Sequence, residues 1–347
     1  MRVLSVAYPF APVRADTPGG AEQVLLALDR ALVRSGHKSF VVAQQSSRIC
    51  GELLPVPDLT GRIDKETAAF MRQSCRAAIQ RALRDLQIDL VHMHGFDFHE
   101  YMPPDGVPVL VTLHLPLAWY PATALRPRRP RTFFNCVSRS QTRSLPDGAG
   151  PFEHIDNGVD IDGWSELPAL SGQSGYALSM GRICPEKGFH IAMEAASKAR
   201  VPFILAGAVF RYAAHEEYFM DRIAPRLSDS CRFVGAAGPE RKKRLLSGAM
   251  CLVVPSVVPE TSSLVAMEAL ASGTPVVAFP NGALAEIVED GRTGFLVKDE
   301  REMSQAIREC SSLSPEACRK AAAQRFSSVK MIEEYFETYR KTAACKA

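Results

Sequence analysis

The chain has 347 residues, of which 46% are apolar and 23% are charged, a composition typical of soluble globular proteins. This length exceeds what one ordinary hydrophobic core supports and fits two domains. The formal net charge of +3 is small for this size, so electrostatics gives no reason to propose a nucleic acid partner.

The first half of the chain alternates strand and helix patterns. The run VLSVA predicts a buried strand, and after a Pro- and Gly-rich loop a helix is predicted at 21–35, closed by Gly36. Further strand patterns are SFVVA, DLVHMH, PVLVTLH and TFFNCVS, and a basic helix is predicted among them at 65–86. This β/α alternation is typical of a parallel sheet.

A second alternation follows an exit from the first domain at NGVD and a polar connector at 165–175. Its strand patterns are YALSMGR, PFILAG, CLVVPS and TPVVAF. Helices are predicted at 190–199, 241–250, 262–271 and 302–309, and an amphipathic pattern at 326–339 comes last.

The segment CLVVPSVVPETSSLVAMEALASGTPVVAF, at 251–279, predicts one strand–helix–strand unit. Both strands are continuous apolar runs, as in a parallel sheet covered on both faces. Glu260 then follows the carboxyl end of a strand, where open α/β sheets bind ligands. Glu268 is the lone charge on an apolar helix and needs a partner, because a buried unpaired carboxylate is costly. Glu268 would be satisfied by a ligand, by a backbone amide or by a local arginine, or it would point outward from the helix.

Seven further motifs accompany this glutamate pair. They are GGAE at 19–22, HMHG at 92–95, TLH at 112–114, VSRS at 137–140, NGVD at 157–160, GRICPEKG at 181–188 and TGFLV at 293–297. Together with two glutamates separated by seven residues and the run EALASGTPVVA, this order closely resembles the retaining nucleotide-sugar glycosyltransferases of family 4. The resemblance spans most of the chain.

The resemblance implies an α/β protein with the GT-B fold, in which two Rossmann-like β/α/β domains face a cleft. Residues 1–160 would form the acceptor-side domain, residues 161–325 the nucleotide-sugar-binding domain, and the helix in 326–347 would cross back to the N-terminal domain. The implied reaction moves a sugar from a nucleotide-diphosphate sugar to a hydroxyl acceptor with retention of configuration, in glycan, polysaccharide or glycolipid biosynthesis. No cofactor and no catalytic metal are expected.

Arg182 and Lys187 match the arginine and lysine that contact the donor diphosphate in this family. Sugar transfer develops negative charge on the departing phosphates, so the site needs fixed cations, and an arginine fork suits two phosphate oxygens. An ordinary surface loop would carry the same charges. The resemblance also implies that Glu260 contacts donor sugar hydroxyls near the reacting carbon, and that Glu268 bonds the ribose.

The start of the helix that carries Glu268 offers unpaired backbone N–H donors for phosphate. Its residues are Thr261, Ser262, Ser263 and Leu264. Many family members have an aromatic residue and a glycine after the first glutamate, where this chain has Thr-Ser-Ser. The resemblance therefore does not predict which sugar is bound.

The first domain contributes three further candidates. His114 ends the strand VLVTLH and matches the family's histidine that faces the donor sugar, although a structural strand-end histidine is the alternative. Gly19 and Gly20 precede a helix, where the missing side chain lets the backbone approach a ligand, and a tight turn is the alternative. No GxGxxG occurs, which argues against a dinucleotide site.

Metal-binding patterns are weak. His92 and His94 share a strand face, but no third ligand has suitable spacing, which argues against zinc. The sequence Asp160-Ile161-Asp162 at the interdomain exit indicates turn chemistry. The nine cysteines contain no CxxC pair or disulfide pattern, which favours a reducing compartment.

The sequence predicts a cytoplasmic protein with at most peripheral contact with a membrane. MRVLSVAYPF is too short an apolar stretch for a signal peptide, and no run of about eighteen apolar residues occurs. RPRRPR at 126–131 lies among aromatic residues, so it predicts either contact with an anionic headgroup or acceptor, or a solvated loop. RKKR at 241–244 predicts a solvated helix face.

Two other functions remain compatible with these patterns. One is another GT-B activity, such as a nucleotide-sugar epimerase or a phosphorylase. The other is a non-catalytic scaffold that binds sugar nucleotides, and the intact glutamate pair with both cations argues against it.

Overall fold

In a computed structural model of the chain, the described residues are 1–61, 63–126, 128–150, 152–165 and 175–345. They form two compact units, Met1–Asp156 with Lys330–Ala347, and Asn157–Val329. The domain limits predicted at 160 and 325 lie a few residues from these bounds. Most of the predicted connector at 165–175 falls outside the described residues.

The first unit is built on a seven-stranded sheet whose strand pairs are all parallel. Its strands are β1 (Arg2–Val6), β2 (Lys38–Gln44), β3 (Glu52–Val56), β4 (Leu90–Met93), β5 (Val109–Leu113), β6 (Thr132–Cys136) and β7 (Glu153–His154). They lie in the order β3-β2-β1-β4-β5-β6-β7. The helices of this part of the chain are α1 (Gly20–Arg34), α2 (Lys65–Asp85) and α3 (Arg139–Thr142).

The second unit is built on a six-stranded sheet, again with parallel pairs only. Its helices are α4 (Asp162–Ser165), α5 (Phe189–Ala199), α6 (Ala213–Tyr218), α7 (Pro239–Ser247), α8 (Leu264–Ser272), α9 (Leu284–Ile287), α10 (Glu300–Glu309) and α11 (Pro315–Arg325). Its strands are β8 (Ala177–Arg182), β9 (Phe203–Ala208), β10 (Cys231–Phe233), β11 (Cys251–Val254), β12 (Val276–Ala278) and β13 (Gly294–Leu296), in the order β10-β9-β8-β11-β12-β13. The predicted α/β class is confirmed.

The final helix, α12 (Ser328–Ala344), belongs to the first unit from Lys330 onward. Its side chains Tyr335 and Tyr339 are fully buried there. Their hydroxyl groups reach polar side chains on β4, β5 and β6. The predicted return of the C-terminal helix to the N-terminal domain is confirmed.

The polar cluster under α12 has one consistent proton assignment. The Thr112 hydroxyl donates to Asn135 Oδ1 at 2.7 Å, so it accepts from His92 Nε2, also at 2.7 Å. His92 Nδ1 then accepts from the Tyr339 hydroxyl at 2.7 Å. Burial lowers the pKa of His92 well below 6.5, so the neutral ring that this assignment needs is the form present at neutral pH.

Replacing Thr112 with valine should destabilise the first unit. The change keeps the shape of a residue that is 1% exposed, but it leaves His92 Nε2 and Asn135 Oδ1 without the hydroxyl that each bonds. We expect the free energy of unfolding to fall by about 1–3 kcal/mol in urea titration. The matched Thr60→Val change at an exposed loop position should stay within about 0.5 kcal/mol, and an equal loss at both sites would contradict this account.

Candidate functional site

The centre of the candidate site is an ion pair between loops that follow two neighbouring strands. Lys187 lies in the turn after β8, Glu260 lies in the loop after β11, and β8 pairs with β11. Lys187 Nζ lies 2.6 Å from Glu260 Oε1, and their side chains are 24% and 9% exposed. The Ser256 hydroxyl donates to the same oxygen. Among the described residues nothing donates to Oε2, so this oxygen is available to a ligand.

The backbone around Glu260 is held on both sides. Val257 N donates to Glu186 O at 2.9 Å, which joins the two loops. Ala283 N donates to Glu260 O at 2.8 Å. Gly282 makes this close approach possible: its φ of +65° favours glycine, and a Cβ there would lie 2.3 Å from Glu260 O. The loop therefore presents the carboxylate from a fixed backbone.

Arg182, at the end of β8, supplies a second cation at this edge of the sheet. Its guanidinium carbon lies 5.9 Å from the centre of the Phe210 ring. No carboxylate in the described ranges forms an ion pair with it. The arginine fork is therefore available to an anionic ligand.

The start of α8 carries two unpartnered hydroxyl groups. Ser263 is the N-cap residue but its side chain makes no capping hydrogen bond. The hydroxyl oxygens of Ser262 and Ser263 are both buried and have no hydrogen-bond partner among the described residues. Together with the free N–H groups of a helix start, they form a set of donors suited to phosphate. Thr261 precedes this pair, and Leu264 is the first residue of the helix.

Glu268 has a partner in the protein itself. Its Oε1 lies 2.5 Å from Lys242 Nζ on α7, and the two side chains are 13% and 19% exposed. Lys242 Nζ also lies 6.0 Å from the centre of the Trp164 ring. The prediction that 241–244 is a solvated face is therefore wrong for Lys242, because the lone carboxylate of α8 draws that lysine inward.

The candidates on the first unit lie at the carboxyl edge of its own sheet. Burial lowers the pKa of His114 to about 3, so the ring is neutral at pH 7, and its Nε2 lies 3.1 Å from His94 Nδ1. A Cβ at Gly19 would lie 1.8 Å from Glu22 Oε2, which is the end of a flexible side chain that can move aside, so this contact does not require glycine. Gly20 is the first residue of α1.

The segment 126–131 is largely occupied by structural contacts. Arg129 is 10% exposed at its side chain and donates to the carbonyl oxygens of Pro103, Pro104 and Val107 at 3.0, 2.7 and 2.6 Å. Arg131 donates to Gly106 O at 2.8 Å. The predicted cationic surface is thus reduced by two arginines, whose charge is directed at backbone carbonyls.

Two family models match the chain in succession. The model described as Glycosyltransferase Family 4 matches residues 18–162, and the model described as Glycosyl transferases group 1 matches residues 175–312. The chain is a glycosyltransferase, with a family 4 domain followed by a group 1 domain. The predicted family and the predicted glycosyltransferase activity are confirmed.

Relatives and solved structures agree with this membership. A phosphatidyl-myo-inositol mannosyltransferase of Mycobacterium leprae is 25% identical over 316 residues, covering 82% of this chain and 81% of the relative. A crystal structure of AviGT4, a glycosyltransferase of avilamycin A biosynthesis, superposes with a TM-score of 0.73 at 25% identity, over 99% and 98% of the two chains. Sucrose-phosphate synthase of Thermosynechococcus elongatus shares the fold, with a TM-score of 0.80 at 19% identity over 99% and 100%. The GT-B fold is therefore confirmed.

Sequence reasoning missed two partners of the family 4 glutamates. Ser256 lies at the end of the strand pattern CLVVPS, but the sequence assigned no contact to it. Lys242 lies in a basic run that resembles a solvated surface. The signal that could have predicted its contact was Glu268, a lone carboxylate on an apolar helix that needs a cation. Neither contact follows from periodicity, because each joins elements that are separate in sequence.

Replacing Glu268 with glutamine should destabilise the second unit. The neutral amide leaves Lys242 as a mostly buried, unpaired cation, so we expect the free energy of unfolding of the ligand-free protein to fall by about 1–3 kcal/mol. The control is Glu240→Gln on α7, where the carboxylate is 79% exposed and lies 3.8 Å from Lys243. Equal melting of wild type and Glu268→Gln would show that the ion pair carries no stability.

Proposed function

We propose that this family 4 enzyme transfers a sugar with retention of configuration and without a catalytic metal, using the second unit to bind the nucleotide-diphosphate donor. The observation that carries the proposal is the Lys187–Glu260 pair at 2.6 Å. Lysine and Ser256 occupy one carboxylate oxygen and keep the group oriented. The other oxygen can accept a hydrogen bond from a sugar hydroxyl near the reacting carbon.

The departing diphosphate is the second element of the proposal. Among the described residues, Arg182 has no carboxylate partner. The hydroxyl groups of Ser262 and Ser263 have no hydrogen-bond partner among these residues either. Fixed donors of this type stabilise charge that develops on the leaving group, and they do so without reorganising during the reaction. They perform the electrostatic work that a bound cation performs in other transferases.

His114 lies on the first unit, directly after β5. Its neutral ring can exchange hydrogen bonds with a sugar hydroxyl but contributes no charge at pH 7. We assign it to positioning of the sugar, and Glu268 to the ribose through the carboxylate oxygen that Lys242 leaves unused.

Arg182→Ala and Lys187→Ala should each lower turnover by roughly a hundredfold or more, because the first removes a donor to a developing anion and the second removes the cation that orients Glu260. The control is Lys198→Ala, which breaks an exposed ion pair with Glu300 in the same unit and should leave the rate within about twofold. Release of nucleoside diphosphate from a panel of nucleotide sugars, followed by mass spectrometry, provides the measurement. Losses below about threefold at both positions would refute the assignment.

The same assay tests the reaction type. Added chelator should leave the rate unchanged, and NMR of the first product should show the anomeric configuration of the donor. An inverted product, or a rate that needs added divalent metal, would contradict the proposed mechanism.

For the acceptor, we propose a hydroxyl group on a sugar, polyol or lipid-linked carrier. Two relatives support this class by their names: the mycobacterial phosphatidyl-myo-inositol mannosyltransferase, and a D-inositol 3-phosphate glycosyltransferase of Catenulispora acidiphila that is 34% identical over 167 residues. That second match covers 43% of this chain and 39% of the relative. An acceptor series of myo-inositol, its phosphate and phosphatidylinositol tests the class.

We also propose peripheral contact with an anionic membrane at the cytoplasmic face, through Arg128. None of the helices in the described ranges combines the length and apolar character that a bilayer span requires. Arg128 is exposed, whereas Arg129 is directed at backbone carbonyls.

Arg128→Ser should therefore weaken co-sedimentation with anionic vesicles about fivefold, as expected when about 1 kcal/mol of charge attraction is lost. Arg129→Ser should instead lower the melting temperature. Neutral vesicles serve as the control, and equal binding to both vesicle types, or no binding, would refute the contact.

A further inference from the structure

Three metal-binding side chains converge beside the donor site without taking part in it. They are Cys184, Glu186 and His215, and one ligand atom from each lies within 4.8 Å of the others. Cys184 and Glu186 flank Pro185 in the loop after β8, and His215 lies on α6. Within the described residues this is the one group of three or more histidine, cysteine or carboxylate side chains with such spacing.

The histidine of this cluster is buried and incompletely bonded. His215 is 9% exposed, and its Nδ1 is buried with no hydrogen-bond partner among the described residues. Its ring packs edge-on against Tyr212, with centroids 5.1 Å apart. Burial, and after it the charge of Arg182, lower the pKa of His215, so the ring is neutral at pH 7 and has a lone pair to offer.

The cysteine is unsuited to a redox or nucleophilic role in the absence of a metal. Cys184 is 1% exposed, and burial raises the pKa of its thiol to about 11. The thiol is therefore protonated at neutral pH, and a protonated buried thiol is inert. Coordination of a divalent ion would release this proton to solvent and leave a thiolate bound to the metal.

The charges balance around a divalent ion. One thiolate and one carboxylate neutralise the ion's charge of about +2, so the complex is neutral despite the nearby cations Arg182 and Lys187. In a tetrahedral zinc site, ligand atoms lie roughly 3.3–3.6 Å apart, given the usual zinc–ligand bond lengths. Side chains within 4.8 Å of one another need shifts of about an ångström to reach that geometry.

We propose that Cys184, Glu186 and His215 form a binding site for zinc or a similarly soft divalent transition metal. Sulfur and imidazole ligands select this class, whereas magnesium and calcium prefer all-oxygen sites. Three protein ligands leave a fourth position for water. The ion would join the turn that holds Lys187 to α6, which already contact each other. The ion takes no part in the sugar-transfer chemistry, so the metal site is tested independently of the proposed function.

The test uses the tag-free, full-length protein after removal of metal by dialysis against chelator. Calorimetric titration should show one equivalent of Zn²⁺ bound, with a rise in melting temperature, and Mg²⁺ should do neither. Co²⁺ should give the charge-transfer absorption that reports a thiolate ligand. Cys184→Ser should abolish that absorption and weaken Zn²⁺ at least about tenfold, and His215→Gln should weaken Zn²⁺ by a similar factor.

The matched control is Cys231→Ser, at a half-buried cysteine on β10 in the same unit, which should bind as the wild type does. Circular dichroism melts establish that each variant is folded, and Glu186→Gln replaces any variant that is not. No binding by the wild type, or binding unchanged in two folded ligand variants, would show an adventitious ion only and overturn the site.

Discussion

Parallel pairing of every strand in both sheets is the constraint on which the rest of the molecule depends. It sends each loop that follows a strand to the same edge, so side chains far apart in sequence become neighbours there. Lys187 and Glu260 meet because β8 lies next to β11 in the sheet. The same rule places His94 and His114 side by side at the ends of β4 and β5 in the first unit.

In the second unit, each of the two glutamates of the family motif forms an ion pair with a lysine. Glu260 receives Lys187 from one strand-end loop, and Glu268 receives Lys242 from a neighbouring helix. In both pairs the lysine contacts one carboxylate oxygen only. A lysine is a point charge, whereas an arginine fork would occupy both oxygens. The choice of lysine thus lets the same carboxylate satisfy the protein and still accept a bond from a ligand.

The sequence was sufficient to predict the fold and the positions of the two glutamates on its elements, because both depend on local patterns. The helices predicted at 21–35 and 65–86 match Gly20–Arg34 and Lys65–Asp85 within one residue at each end. In both, the apolar periodicity and the residues at the helix ends indicate the same limits. Short edge strands such as Cys231–Phe233 were missed because three residues carry no period. Helix Pro315–Arg325 was missed although Ser314 caps it and proline begins it, since its apolar stripe consists of alanine and cysteine.

Side-chain partners were harder to predict for a physical reason. A carboxylate on an apolar helix needs a cation, but any nearby basic run can supply it, and only the packing of α7 against α8 selects Lys242. Arg129 and Arg131 show the converse case, because these two members of an apparent basic surface patch donate to the carbonyls of a neighbouring turn. Hydrogen bonding thus decides whether such a cluster is available to ligands.

The first unit is discontinuous in sequence, and this has a consequence for synthesis on the ribosome. Residues 1–156 emerge first, but His92, Thr112 and Asn135 receive their tyrosine partners from Lys330 onward. The whole of the second unit is made in between. The tyrosines of α12 can therefore cover this polar cluster only after the whole second unit has been synthesised.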